Sequence, residues 1–266
     1  MSYVILECGS VARGDANHNS DRDIVCIWHG EKPPYESINK NYGETSFYSL
    51  NCIKSMKDKG SLFLTHLDVD SKCLDGNSKI ANVFSGYRPS KNLIEMTLKD
   101  TINFINEIAW FPNSLHGYYW LCDVLYVSLR NCIFCINALN KRFLFGFEDA
   151  MQDLPLNSSE IITMLHLREA KYAYRLGKVN DAISFNIKKI EEVSSKIVGS
   201  NVKFNSGGST HWNKNWRMDY WGERLIERSI INNEYDDSHF LLKLEDHRYH
   251  RNTLKKIMKK IIKSKT

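Results

Sequence analysis

Several features that would place this chain quickly are missing from it. None of its apolar runs approaches the ~20 residues that cross a bilayer. The opening MSYVILECGS has neither a charged start nor an apolar stretch of secretory-signal length. The expectation is a cytoplasmic protein with no membrane attachment. A disulfide framework is also absent: the seven cysteines, an odd number, are scattered from Cys8 to Cys135. Four of them, Cys8, Cys26, Cys122 and Cys132, lie inside apolar runs, as reduced core residues do. Cys132 and Cys135 form a C-x-x-C, but no second Cys or His pair accompanies them, so a closed zinc site would want half its ligands. No repeat recurs at a fixed period. Acids are missing from the tail, where RNTLKKIMKKIIKSKT carries seven cations from Arg251 to Lys265. The whole chain has a formal charge of +5, so the remainder is at −2. A slightly acidic body excludes a surface built mainly as a general nucleic-acid platform and makes the tail a separate element.

What is present is a globular composition, with 42% hydrophobic residues over 266 positions, enough for one large core or two ordinary ones. Up to about Gly76 the pattern is rich in short strands: YVILEC and DIVCIW are apolar runs, TSFYSLNCI is β-branched and aromatic, and the turn-forming HGEKPPYES separates the last two. SLFLTHL fits a helix and KCLDGN a last short strand and turn. From about Ser90 the period becomes helical in NLIEMTLKDTINFINEIAWF, YYWLCDVLYVSLRNCIFCINAL, FGFEDAMQDL, SEIITMLHLREAKYAYRL and DAISFNIKKIEEVSSKIV. Asn157, Ser158 and Ser159 offer N-caps for the fourth of these and Gly177 its stop. The expected class is α+β, a small mixed sheet with helices over residues 1–88 followed by a helical bundle over 89–266 that ends in a basic helix.

The stretch CGSVARGDANHNSDRDIVCIW carries the chemistry. A strand runs into Gly9-Ser10, ten residues follow, and Asp21 and Asp23 then open a second strand. Residues two apart on a strand share a face. Two carboxylates side by side repel unless something positive lies between them, and a divalent cation or a basic cluster meets that need. The constellation G-S-x10-D-x-D, with VARG after the Gly-Ser and Ser20 before the first Asp, resembles the nucleotidyltransferase superfamily of DNA polymerase β type. Within it the pattern is similar to the minimal nucleotidyltransferases and the aminoglycoside nucleotidyltransferases. The resemblance covers about the first 80 residues.

That resemblance implies a nucleotidyltransferase-fold sheet and magnesium, two ions, held by Asp21 and Asp23. Magnesium prefers carboxylate oxygens and leaves positions open for phosphate. Gly9 would let the backbone approach a phosphate, Ser10 and the amides that follow would bond the β- and γ-phosphates, and Arg13 would touch the triphosphate or else pair with Asp15 or Asp21. Active members carry a third carboxylate on a neighbouring strand. Here TSFYSLNCI has Ser46, Tyr48 and Ser49 where that acid is expected, with Glu44 at its beginning and Asp68 and Asp70 further on as alternatives.

Three further stretches have two readings each. Arg168, Lys171 and Arg175 share a helix face that could meet phosphate or an acidic partner, or simply be solvated. Trp212, Trp216 and Trp221, interleaved with Lys214, Arg217, Arg224 and Arg228, suit an interface or single-stranded nucleic acid, or close a core. Leu254, Ile257, Met258, Ile261 and Ile262 form an apolar stripe on the lysine-rich final helix, suited to docking on an acidic surface, with weak tRNA affinity as the alternative. The helical part is similar in kind to HEPN-like and kanamycin-nucleotidyltransferase bundles, but Arg130 is followed by no histidine at the ribonuclease spacing.

The expected activity is Mg-dependent transfer of a nucleoside monophosphate from a triphosphate to a hydroxyl of a protein, an RNA end or a small molecule, in a toxin-antitoxin or phage-defence setting. The alternatives are a nucleotide-binding or scaffolding subunit that has lost turnover, and a synthase making an oligonucleotide or second messenger from triphosphates alone. The implied partners are a nucleoside triphosphate, a protein or tRNA, and further copies of the chain.

Overall fold

The run YVILEC becomes an interior strand. In the computed structural model, which describes residues 2–17, 20, 22–108, 110–111, 115–176, 178, 185–206 and 260, β1 (Tyr3–Cys8) is hydrogen-bonded along both edges. It lies antiparallel to β2 (Asp23–Trp28) and to β4 (Lys72–Gly76), and β3 (Thr45–Ser49) runs parallel to β2, giving the order β3-β2-β1-β4. A strand covered on both faces shows no polar alternation, and Val4, Ile5 and Leu6 are all buried.

Helices cover both faces. In chain order they are α1 (Gly9–Arg13), α2 (Tyr35–Tyr42), α3 (Leu50–Asp58) and α4 (Leu62–Asp70), with a 3-10 helix at Ser78–Val83 after β4. Val4, Leu6, Cys8, Val25 and Ile27 pack with Ile53 of α3, Leu64 and Leu67 of α4, and Ile80 and Phe84 beyond β4. On the other face Ile5, Ile24 and Cys26 pack with Ile38 of α2. Burial of each such aliphatic side chain stabilises by about 1.5–3 kcal/mol relative to exposure, so the six-residue runs of β1 and β2 fix the sheet.

Later helices are α5 (Lys91–Glu107), α6 (Leu115–Leu139), α7 (Phe147–Gln152), α8 (Ser158–Arg175) and α9 (Ile187–Val198), and β5 (Trp110–Phe111) pairs in parallel with β6 (Asn205–Ser206). The architecture is α+β. The described chain divides into two compact units, one of residues up to Asp100 with Asn131–Pro155, the other of Thr101–Arg130 with the described residues from Leu156 onward. The sheet-bearing unit thus takes in a later helical segment as well as the early residues. In it, Leu62 and Ile94 pack with Cys135, Ala138 and Phe145. In the second unit α8 and α9 are joined by the Lys196–Glu160 ion pair at 2.7 Å, and Met164, Leu167, Ile190 and Val193 are buried.

Some expectations need correction. TSFYSLNCI is not one strand: β3 ends at Ser49, whose hydroxyl accepts the Cys52 amide at 3.2 Å and so caps α3. The turn expected at HGEKPPYES yields at Tyr35 to α2, a polar helix anchored by Ile38. The stretch Gly117–Leu139 of α6 is long and apolar enough to cross a membrane, although 72% of that window is buried inside the protein. The Asn157 cap is present as a capping box with Glu160. Gly177, the tryptophan-rich segment and the stripe of the final helix lie outside the described residues.

Candidate active site at the head of the sheet

Asp23 opens β2, and in the antiparallel register it stands opposite Cys8, the last residue of β1. The chain then turns at Gly9 with φ +77°, a left-handed conformation that costs other L-residues about 1–2 kcal/mol. Space bears on this position as well. A Cβ built on Gly9 would fall 2.4 Å from Asp23 Oδ2, so the carboxylate rests where any side chain would be. Gly9 and Asp23, fourteen positions apart in sequence, are thus neighbours at this end of the sheet.

Other groups converge on this point. The Cys8 Sγ donates toward the Asp23 carbonyl at 3.6 Å. Burial first, and then the Asp23 charge, push the Cys8 thiol up to about 12, so it is no nucleophile near neutral pH. Ser10, half-buried, follows in the first turn of α1, and its carbonyl accepts the Gly14 and Asp15 amides at 2.9 and 3.1 Å. Asp23 is exposed; Asp21 lies outside the described residues.

Arg13 ends α1 and is engaged. Its Nε and Nη2 donate to Asp15 Oδ2 at 3.3 Å each, and Nη1 donates to Asp70 Oδ2 at 3.0 Å. Of the two roles expected for it, the ion pair with Asp15 is the one this geometry displays, joined by a pair with Asp70.

The β3 register decides what the third-carboxylate position holds. Val25 stands beside Ser46 and Ile27 beside Tyr48, so the row of Asp23, Val25 and Ile27 continues on β3 with a hydroxyl and a phenol. Glu44 directly precedes the Thr45↔Ile24 pair, exposed at the same end of the sheet as Asp23. The other acids have partners: Asp68 accepts the Gly86 amide at 2.9 Å and Arg88 Nη1 at 2.6 Å, and Asp75 accepts the Tyr42 hydroxyl at 3.0 Å. Asp70 lies in the last turn of α4. Burial alone would raise its carboxyl, yet hydrogen bonds and charge from His66 and Arg13 outweigh that and hold it below the usual range.

Among the described residues no group of three or more His, Cys, Asp or Glu is arranged to hold a metal ion. Of the two aspartates expected to hold magnesium, only Asp23 is among the described residues, and it offers at the head of β2 the carboxylate oxygen that ion prefers.

Two cavities were not foreseen. In the first unit Arg13, Asp15, Asp70, Lys72 and Asp149 line an open cavity of about 440 Å³. In the second, Thr163, His166, Phe185 and Lys189 line one of about 250 Å³. The cation row on α8 is not uniformly solvated: Lys171 is buried, with Nζ 4.3 Å from the Tyr172 ring centroid and 5.7 Å from that of Tyr126. No family model, no curated protein and no solved structure matches this chain.

Proposed function

We propose that this chain is a magnesium-dependent nucleotidyltransferase of DNA polymerase β type, moving a nucleoside monophosphate from a triphosphate to a hydroxyl of a protein, an RNA end or a small molecule. The observation that carries the reading is the seat of the Asp23 carboxylate against Gly9 at the turn from β1 into α1. It joins the two halves of the G-S-x10-D-x-D pattern at one end of a small mixed sheet.

In this reading Asp21 and Asp23 would hold magnesium, which would supply positive charge against that of the triphosphate. The Asp23 carboxylate takes up the space beside Gly9, and the Ser10 hydroxyl with the neighbouring amides would bond the β- and γ-oxygens. The acceptor oxygen would bond to the α-phosphorus as the bond to the pyrophosphate oxygen breaks, and the acceptor proton would pass to solvent water. Cys8, with its thiol pushed up to about 12, takes no part as a nucleophile.

One observation favours a second reading, a nucleotide-binding or scaffolding subunit without turnover. The β3 row beside Asp23 carries Ser46 and Tyr48, and Asp68 and Asp70 are committed to Arg88 and to Arg13 with His66. Binding a nucleotide needs less than activating a hydroxyl. Calorimetric titration with each triphosphate, with and without Mg2+, tests the shared part of both readings. Magnesium-dependent binding that is lost in Asp21→Asn/Asp23→Asn supports them, and binding indifferent to the metal and to both aspartates contradicts them.

A further inference from the structure

Three polar atoms at the end of α1 form a closed triangle. Arg13 Nη1 lies 3.0 Å from Asp70 Oδ2 and 3.1 Å from His66 Nε2, and His66 Nε2 lies 3.2 Å from the same Oδ2. A single imidazole nitrogen cannot serve both neighbours. Without a proton it accepts from Arg13; with one it donates to Asp70 and turns its N–H beside a guanidinium that keeps its own protons.

The three groups differ in their freedom to move. His66 and Asp70 are one turn apart on α4, and the imidazole is stacked on Phe145 with centroids 4.7 Å apart and planes at 27°. Arg13 reaches in from α1 and already has a second anchor, Asp15, whose side chain is 45% exposed. It also borders the cavity of about 440 Å³, where Asp15 and Asp149 offer carboxylates and Lys72 a second cation. Both carboxylates approach Gly146, where an added Cβ would lie 3.3 Å from Asp15 Oδ2 and 2.9 Å from Asp149 Oδ2.

We propose that His66 is a proton-operated latch on Arg13. Neutral His66 accepts from Arg13 through Nε2 and leaves Asp70 to the guanidinium, tying α1 to α4. Proton uptake at Nε2 sets a second cation beside Arg13, the imidazolium keeps Asp70, and Arg13 swings to Asp15 and Asp149 in the cavity. The charged groups facing the imidazole or the released guanidinium are Arg13 from α1, Asp70 from α4, Asp15, Lys72 from β4 and Asp149 from α7; Phe145 contributes only its ring.

Long-range proton–nitrogen correlation spectra of the labelled full chain, titrated across about pH 5 to 8 where histidines change charge, test the latch. The expected result is a neutral His66 protonated on Nδ1, with the Arg13 side-chain resonances shifting at the same midpoint as the ring. In His66→Gln, which accepts but does not titrate, the Arg13 resonances should hold still over that range. Should that variant fail to fold, Arg13→Met gives a second check, in which neutral His66 moves its proton to Nε2. A wild-type His66 protonated on Nε2 when neutral, a ring that does not titrate, or Arg13 shifts that persist in His66→Gln would overturn the proposal.

Discussion

Asp23 Oδ2 occupies the space that a side chain at position 9 would need, 2.4 Å from an ideal Cβ on Gly9. Gly9→Ala therefore has two effects. The positive φ costs about 1–2 kcal/mol, read as a lower denaturation midpoint, and the displaced carboxylate costs on the order of 10²-fold in transfer rate, as an ångström of misplacement does. Chemical denaturation alongside a transfer assay checks both. A variant with wild-type rate would separate Gly9 from the chemistry.

Asp23→Asn should behave in the opposite way. The side chain is exposed, so stability should stay within about 0.5 kcal/mol, while magnesium-dependent triphosphate binding disappears. Thermal melts and calorimetry on the same preparation separate these effects.

Asp70 makes acid stability predictable in sign. Its folded carboxyl is held below the ordinary value by His66 and Arg13 against the opposing pull of burial. A depressed carboxylate contributes stability in full above its unfolded pKa and loses it as pH falls through the folded one. Asp70→Asn should cost about 2 kcal/mol near neutrality, the scale of hydrogen bonds to charged groups. The gap to wild type should narrow steadily on acidification below the ordinary carboxylate range. A gap that widens in acid would contradict the Asp70 assignment.

Thiol chemistry reports on the core. Cys52 and Cys73 are exposed, whereas Cys8, Cys26, Cys122, Cys132 and Cys135 are buried. Burial pushes Cys26 up to about 11 and Cys122 upward as well, with Asp123 adding to the latter. Iodoacetamide on the native protein should label the two exposed thiols, read by intact mass, and all seven only after denaturation.

How much of this was legible in the chain varies by element. β1 and β2 could be read because strands buried on both faces leave unbroken apolar runs, α5 and α8 because an amphipathic helix leaves its period, and α6 because its apolar run is too long for a strand. Asn157 announced α8 through its own chemistry. The helix α2 was hidden by its polarity, since Ile38 is its one buried residue. TSFYSLNCI misled because apolar residues run on past Ser49 as Leu50, Cys52 and Ile53, although the capping hydroxyl of Ser49 ends the strand there. The Gly9–Asp23 seat was foreshadowed by residue types and spacing. The triangle at Arg13 was not, because it joins positions 53 and 57 apart and requires α4 to run on to Asp70.

The central claim is transfer, and label transfer tests it most directly. Purified protein is incubated with Mg2+ and each α-labelled triphosphate, with and without total tRNA and a cell extract. The account predicts that label from one triphosphate joins a macromolecule or a new small product, and that Asp21→Asn/Asp23→Asn abolishes it. Absence of label under every condition, with magnesium-dependent triphosphate binding intact, would contradict transfer and leave the subunit without turnover as the function.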